Sequence, residues 1–208
     1  MVDSLGLLEQ CAPQVPTHLM HALVRVESAW RPLAIGMDAR EGRVPQPRTL
    51  TQAVAQAKAL ASAGRGFSVG LAQIHVGNVS RFGMAWEQAF DPCLNLEAGQ
   101  RVLRGFYGLA TARGYAGQAA VEAALRGYNA GAIDRVAGDG YAKRVVGYAQ
   151  GRLQPTVKAG GPASEFPTPA SPRIRPEALR GSADPLVSPG SQNEAEDVFA
   201  RRAVVPGF

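Results

Sequence analysis

Glu27 is the residue whose setting raises a chemical question first. It closes an apolar run, His18 to Trp30 (HLMHALVRVESAW), and Ser28 follows it. An acid in the last turn of a helix meets partial negative charge, not the positive end that favours ionisation. Apolar walls would hold its proton more tightly still, which makes it a candidate general acid. The competing reading is an exposed glutamate at a frayed helix end. Two later stretches carry polar groups where the chain must bend or stop. Gly66 to His75 (GFSVGLAQIH) sets glycines close to Ser68 and Gln73, so the backbone can turn tightly and let something approach. Gly127 to Gly131 (GYNAG) places Tyr128 and Asn129 at a helix end. Read alone, that pair is a core tyrosine and a capping asparagine as readily as a binding pair.

Other chemistries find less support. Gly70 is too isolated for a phosphate loop. His21 and His75 stand alone and read as hydrogen-bonded structural residues. With neither Cys11 nor Cys93 in a close pair, no zinc pattern exists, and neither a metal nor a cofactor is expected.

The elements that must position these groups follow from periodicity. Leu19, Leu23 and Val26, with Ala22 beside them, give the first helix a buried stripe; Pro16 suits its first turn and Pro32 stops it. Ala34 to Met37 and Arg43-Val44 flank a polar stretch and predict a small hairpin or an irregular lobe. Thr49 and Gln52 make a capping-box pattern ahead of a helix with Leu50, Val54, Ala57 and Leu60 inward and Gly64 or Gly66 as its stop. Asn95 reads as the N-cap of a helix carrying Leu96, Leu103, Phe106, Tyr107 and Ala110, ended by Gly114. A helix from about Gln118 has Val121, Ala124, Leu125 and Tyr128 on one face. A last helix, from about Gly140 to Leu153, turns Tyr141, Val145, Tyr148 and Ala149 inward.

From Gln154 the composition changes. Residues 154–208 hold nine of the 15 prolines, scattered Gly and Ser, and no Trp or Tyr. Such a segment buries too little apolar area to offset its ordering entropy. The expected organisation is one domain over residues 1–153 and a disordered tail over 154–208, with Leu186-Val187 and Val198-Phe199 as its docking points.

The chain has 208 residues and a formal net charge of +5, all of it carried by residues 1–152. A basic globular part could meet nucleic acid, an anionic membrane face or an acidic polymer such as the bacterial wall. No basic run is interleaved with aromatics, which argues against nucleic acid, and no apolar run approaches the length of a membrane span. No signal peptide is visible at Met1-Val2-Asp3-Ser4, so the sequence is either cytosolic or begins at a mature or trimmed start. Two cysteines fit two unrelated small hydrophobes in a reducing compartment as well as a bridge in an oxidising one.

Three pieces line up in order: Glu27-Ser28, Gly70-Leu71-Ala72-Gln73-Ile74, and Ala124 to Gly131 (ALRGYNAG). The ordered set resembles the lytic transglycosylases of the lysozyme-like superfamily. The helix and lobe inserted between the first two pieces make it similar to their type IV secretion-associated subfamily. The likeness extends through Ala34-Ile35-Gly36 and Phe90 to Leu96 and covers roughly residues 8–150. It departs at Ala72, where a Met is common, and at His75, where a small polar residue or Met often stands.

The resemblance implies a mainly α, lysozyme-like domain of the goose-type-lysozyme and soluble-lytic-transglycosylase kind, with a small β element lining a saccharide cleft. It implies Glu27 as the catalytic acid, Gln73, Tyr128 and Asn129 as cleft residues, and Ser68, Val69 and Gly70 along the same wall. It also implies a Cys11–Cys93 disulfide, a periplasmic location, peptidoglycan strands as substrate and secretion-system proteins as partners of the tail. One acid suffices where most glycoside hydrolases use two, because the N-acetyl group of the muramic sugar can attack its own anomeric carbon. Asp38, Glu41 and Asp91 are the candidates for a second carboxylate. A hydrolytic muramidase and a non-catalytic peptidoglycan-binding assembly module are the alternatives.

Overall fold

The computed structural model describes residues 4–39 and 41–153; the predicted tail lies outside the described residues. The fold is mainly helical with a small β element, as the sequence predicts. Among the described residues eight α-helices are α1 (Ser4–Cys11), α2 (Thr17–Ser28), α3 (Leu50–Ser62), α4 (Val76–Arg81), α5 (Trp86–Ala89), α6 (Pro92–Ala112), α7 (Gly117–Ala130) and α8 (Asp139–Ala149), with a 3-10 turn at Val136–Gly138. Three short strands, β1 (Ile35–Met37), β2 (Phe67–Val69) and β3 (Ile74–His75), form one antiparallel sheet with β2 in the middle. Its register pairs Ile35 with Val69 and Val69 with Ile74.

The long α6 is the axis of the core. Asp91 caps it by accepting the Leu94 N–H at 2.9 Å, and Pro92 occupies the first turn, where its missing N–H costs little. Leu96, Leu103, Phe106 and Ala110 are buried along one face and α7 packs against them. Gly127 is needed for that approach: a Cβ there would lie 2.3 Å from the Phe106 ring. Helix α8 then packs on both α7 and α2, which brings residues from the two ends of the domain together. The Cys11–Cys93 disulfide, across a sequence separation of 82, ties the end of α1 to the first turn of α6.

The structure corrects several local expectations. Arg43-Val44 forms no strand; β1 pairs instead with β2, thirty residues further on, because Phe67 and Val69 offer it a buried face. Asn95 is not an N-cap but lies one turn inside α6, fully buried. Leu50 is 47 % exposed, and Ala53 takes the buried place on α3. Only half of the capping box forms: Thr49 accepts the Gln52 N–H, but the Gln52 side chain reaches the Arg48 N–H. Helices α1, α4 and α5 are too short to give a periodic signal.

Candidate active site

Helix α2 places Glu27 one residue before its end. Met20, Leu23 and Val24 fix the helix in the core with no exposure. Beyond Ser28 the chain turns out through two consecutive left-handed residues, Ala29 (φ 51°) and Trp30 (φ 64°). Side chains with a Cβ tolerate this at a cost of order 1–3 kcal/mol each, so the surroundings must enforce it. Trp30 packs on His21 with ring centroids 5.0 Å apart. Ser28 is held by its hydroxyl donating to the Val24 carbonyl, while Arg31 Nε donates to the Ser28 carbonyl at 3.0 Å.

The carboxyl that results is unusual. Burial raises the Glu27 pKa from 4.5 to about 8, outweighing a Tyr141 hydrogen bond and the Arg144 charge, which both favour the ionised form. Tyr141 donates its hydroxyl to Glu27 Oε1 at 2.5 Å. Burial, together with the neighbouring Glu27 charge, also holds both Tyr128 and Tyr141 well above the usual phenol range, so both remain proton donors. At neutral pH Glu27 therefore carries a proton.

The β lobe supplies the second wall, and its turn is built to tight tolerances. Gly70 has φ +80°, and a Cβ on it would sit 2.2 Å from Asn95 Nδ2, so only glycine fits. Gln73 is also left-handed (φ 49°); its side-chain amide donates to the carbonyls of Gly70 at 2.8 Å and Ala34 at 3.2 Å, locking the turn to the residue just before β1. Asn95 brackets the turn from below: its amide donates to the carbonyls of Val69 and Ala89, and its oxygen accepts the Ala72 N–H at 2.7 Å. Tyr128 completes the frame by donating to the Ala72 carbonyl at 2.6 Å.

Contacts link part of the predicted set: Glu27 to Tyr128 and Tyr141, and Tyr128 to the 70–73 turn. Glu27 lies near Tyr128 and Tyr141; Gln73 is joined to Tyr128 through the two-residue stretch Ala72-Gln73. Ser68, Val69 and Gly70 are buried, the first two with no exposure, and belong to the frame of the lobe. Asn129 is buried at the end of α7, two residues before the left-handed Gly131. Two residues were not singled out for the site from sequence. Tyr141 reads there as one more inward aromatic, because nothing in spacing links it to a residue 114 positions away. Asn95 reads as a cap, because a buried bracket and a capping side chain share the same residue type. The carboxylates considered as a second acid are engaged elsewhere: Asp38 faces His75 at 3.5 Å, Glu41 pairs with Arg65, and Asp91 caps α6. His75 itself caps α4 by accepting the Gly77 N–H. Among the described residues no group of three or more His, Cys, Asp or Glu is arranged to hold a metal.

A helical domain that sets a protonated carboxyl between a helix end and a small three-stranded lobe has the layout of the lysozyme-like class. The Transglycosylase SLT domain family matches residues 7–145, and the chain belongs to that family. It is similar to the type IV secretion system protein virB1 of Brucella abortus and of Brucella suis, 44% identical over 108 residues. That match covers 51% of this chain and 44% of the relatives, so less than half of their length is spanned. It is also similar to protein virB1 of Rhizobium radiobacter, 32% identical over 141 residues, covering 68% of this chain and 58% of the relative. No solved structure matches the chain.

Proposed function

We propose that this chain is a peptidoglycan lytic transglycosylase that cleaves the MurNAc–GlcNAc β-1,4 bond and opens the wall for a type IV secretion or conjugation apparatus. One observation carries the reading: Glu27 is a half-buried acid whose pKa desolvation pushes up to about 8, while Asp38, Glu41 and Asp91 serve other contacts. A protonated carboxyl can start cleavage of a glycosidic bond, and with the three candidate second carboxylates engaged elsewhere the substrate supplies the nucleophile that finishes it.

The chemistry then balances on a single residue. Glu27 gives its proton to the glycosidic oxygen as the C1–O bond breaks, and the sugar's own acetamido oxygen bonds to C1. The Glu27 carboxylate next accepts the proton of the C6 hydroxyl while that oxygen attacks C1 and displaces the acetamido oxygen. A 1,6-anhydro ring closes, and Glu27 ends protonated as it began. Tyr141 stabilises the carboxylate between the two steps. The Asn129 amide and the side-chain oxygen of Gln73, whose N–H groups are spent on the turn, suit acetamido and hydroxyl groups, and the rigid 70–73 turn supplies one wall against which the sugar is held. The disulfide suits an oxidising compartment, which accords with action in the periplasm. The family and the names of the relatives support the wall and secretion assignments. Secretion-system proteins are proposed as partners through residues 154–208.

The test is digestion of purified peptidoglycan followed by mass spectrometry of the released muropeptides. Anhydro ends, one water lighter than hydrolytic ends, are expected, together with a loss of about 10²–10⁴-fold in the Glu27→Gln variant. Reducing ends would instead make the chain a muramidase, and persistent binding without cleavage would make it a wall-binding module.

A further inference from the structure

A groove of about 420 Å³ opens between α7 and α8, lined by residues to which the proposed chemistry gives no role. Gln118 and Glu122 of α7 form one wall, Lys143 and Arg144 of α8 the other, and Arg152 and Leu153 close the end. The end is built rather than left loose. After α8 the chain reverses through left-handed Gly151 (φ +67°), and the N–H groups of Arg152 and Leu153 both return to the Gly147 carbonyl, at 2.9 and 3.1 Å. A Cβ on Gly147 would lie 2.7 Å from the end of the Leu153 side chain, which would have to shift to admit it.

The lining states what it would recognise. Lys143, Arg144 and Arg152 face one acid, Glu122, which leaves a local excess of two positive charges. Arg144 Nε is buried with no hydrogen-bond partner, a condition that calls for an explanation in a native fold. The Gln118 amide donates to Glu122 Oε1 at 2.7 Å, holding that acid in place. Val146 and Leu153 add apolar floor. A bare inorganic anion would use the charges and leave the floor and Glu122 without a role. A short peptide with several carboxylates, one ammonium and small apolar side chains would use all of them.

We propose that this groove binds the acidic stem peptide of a wall glycan, its carboxylates on Lys143, Arg144 and Arg152 and its ammonium on Glu122. The assignment rests on the reading of the wall as substrate and extends it from the sugar to the peptide. The spacing fits. Glu122 and Gln118 lie six and ten residues before Tyr128, about 9 and 15 Å along α7 at 1.5 Å per residue. Three or four extended residues span roughly 10–14 Å. Along the helix axis the groove and the Tyr128 end of α7 are thus separated by no more than the length of a short peptide. Arg144 adjoins both places, since its charge also acts on Glu27.

Calorimetric titration of the whole chain tests this without turnover. The probe is N-acetyl-L-alanyl-γ-D-glutamyl-meso-diaminopimelate, which carries three carboxylates and one ammonium. A Kd of about 1 mM or tighter is expected, weakened at least tenfold in the double variant Lys143→Gln, Arg152→Gln. Both residues are exposed, and an unchanged melting temperature confirms that the variant folds. Glu122→Gln should weaken the same probe but not its ε-acetylated form, which lacks the ammonium. Absence of binding at several millimolar, equal binding by the double variant, or full displacement by equimolar inorganic phosphate would each overturn the assignment. Failure here together with anhydro products from bare glycan would sink the groove and leave the transglycosylase reading intact. Peptide binding that depends on Lys143 and Arg152, in a chain that cleaves nothing, would do the reverse.

Discussion

Tyr141 and Glu27 are 114 residues apart in sequence, and the hydroxyl of one donates to the carboxyl of the other at 2.5 Å. The bond favours the ionised acid, whereas burial, the larger effect, favours the protonated one. Glu27 is thus poised rather than locked: it holds a proton at neutral pH, and its anion has a donor ready once the proton leaves. The packing of α8 on α2 makes this contact, so a change far from the acid in sequence should act on its titration.

Tyr141→Phe removes the donor and keeps the ring. The Glu27 pKa should rise above its present value of about 8, moving the alkaline limb of the pH–activity profile upward. Turnover should fall about tenfold, as the carboxylate formed after proton transfer loses its hydrogen bond. A profile with an unmoved limb would show that Tyr141 serves packing alone.

Glu27 also gives stability a pH dependence of definite sign. Its pKa is near 4.5 unfolded and about 8 folded. Below pH 4.5 both states are protonated and the group costs nothing. Between the two values the unfolded chain releases a proton that the folded one keeps, so stability falls as pH rises, and above 8 the whole cost is present. Glu27→Gln removes it. At pH 9 the variant should be more stable than the parent by a few kcal/mol as an order of magnitude, and at pH 4 the two should unfold alike in urea. A constant difference at both pH values would contradict the buried-acid assignment.

The Asn95 bracket should be the costliest polar residue to lose. Asn95→Ala deletes three buried hydrogen bonds and strands the Val69 and Ala89 carbonyls and the Ala72 N–H. With about 1–3 kcal/mol for each buried group left unpaired, a loss of roughly 3–5 kcal/mol is expected by denaturant unfolding. A loss below about 1 kcal/mol would mean that water replaces the bracket without difficulty.

Reduction of Cys11–Cys93 should lower the melting temperature. Closing a loop across 82 residues stabilises by about 4–5 kcal/mol in the chain-entropy model, less any native strain. Cys93→Ser should match the reduced parent. Equal melting of oxidised and reduced protein would place the bond outside the stability of the fold.

A chain ending at Leu153 should retain cleavage and its melting temperature, since α8 and its return turn close the described domain. Loss of both would move the proposed boundary into residues 154–208.

Much of this architecture was legible in the sequence, for a physical reason. Long amphipathic helices announce themselves because burial repeats every three to four residues, so the inward faces of α2, α6 and α7 follow from spacing alone. The placement of Glu27 near the end of an apolar helix follows in the same way. Glycine signals are local as well: Gly70 marks a turn because its φ of +80° is a property of that one residue. What tertiary structure alone decided are relationships in which one residue type fits two roles and distance selects between them. Asn95 could cap or bracket; only the arrival of Gly70 and Ala72 above α6 made it a bracket. Tyr141 could be core or partner to an acid; only the packing of α8 on α2 brought its hydroxyl to Glu27. Strand β1 could pair with its near neighbour or with β2; the buried faces of Phe67 and Val69 settled it across thirty residues. Sequence pattern records which faces must be buried, whereas the meeting of two particular polar groups depends on helix crossings that no local periodicity encodes.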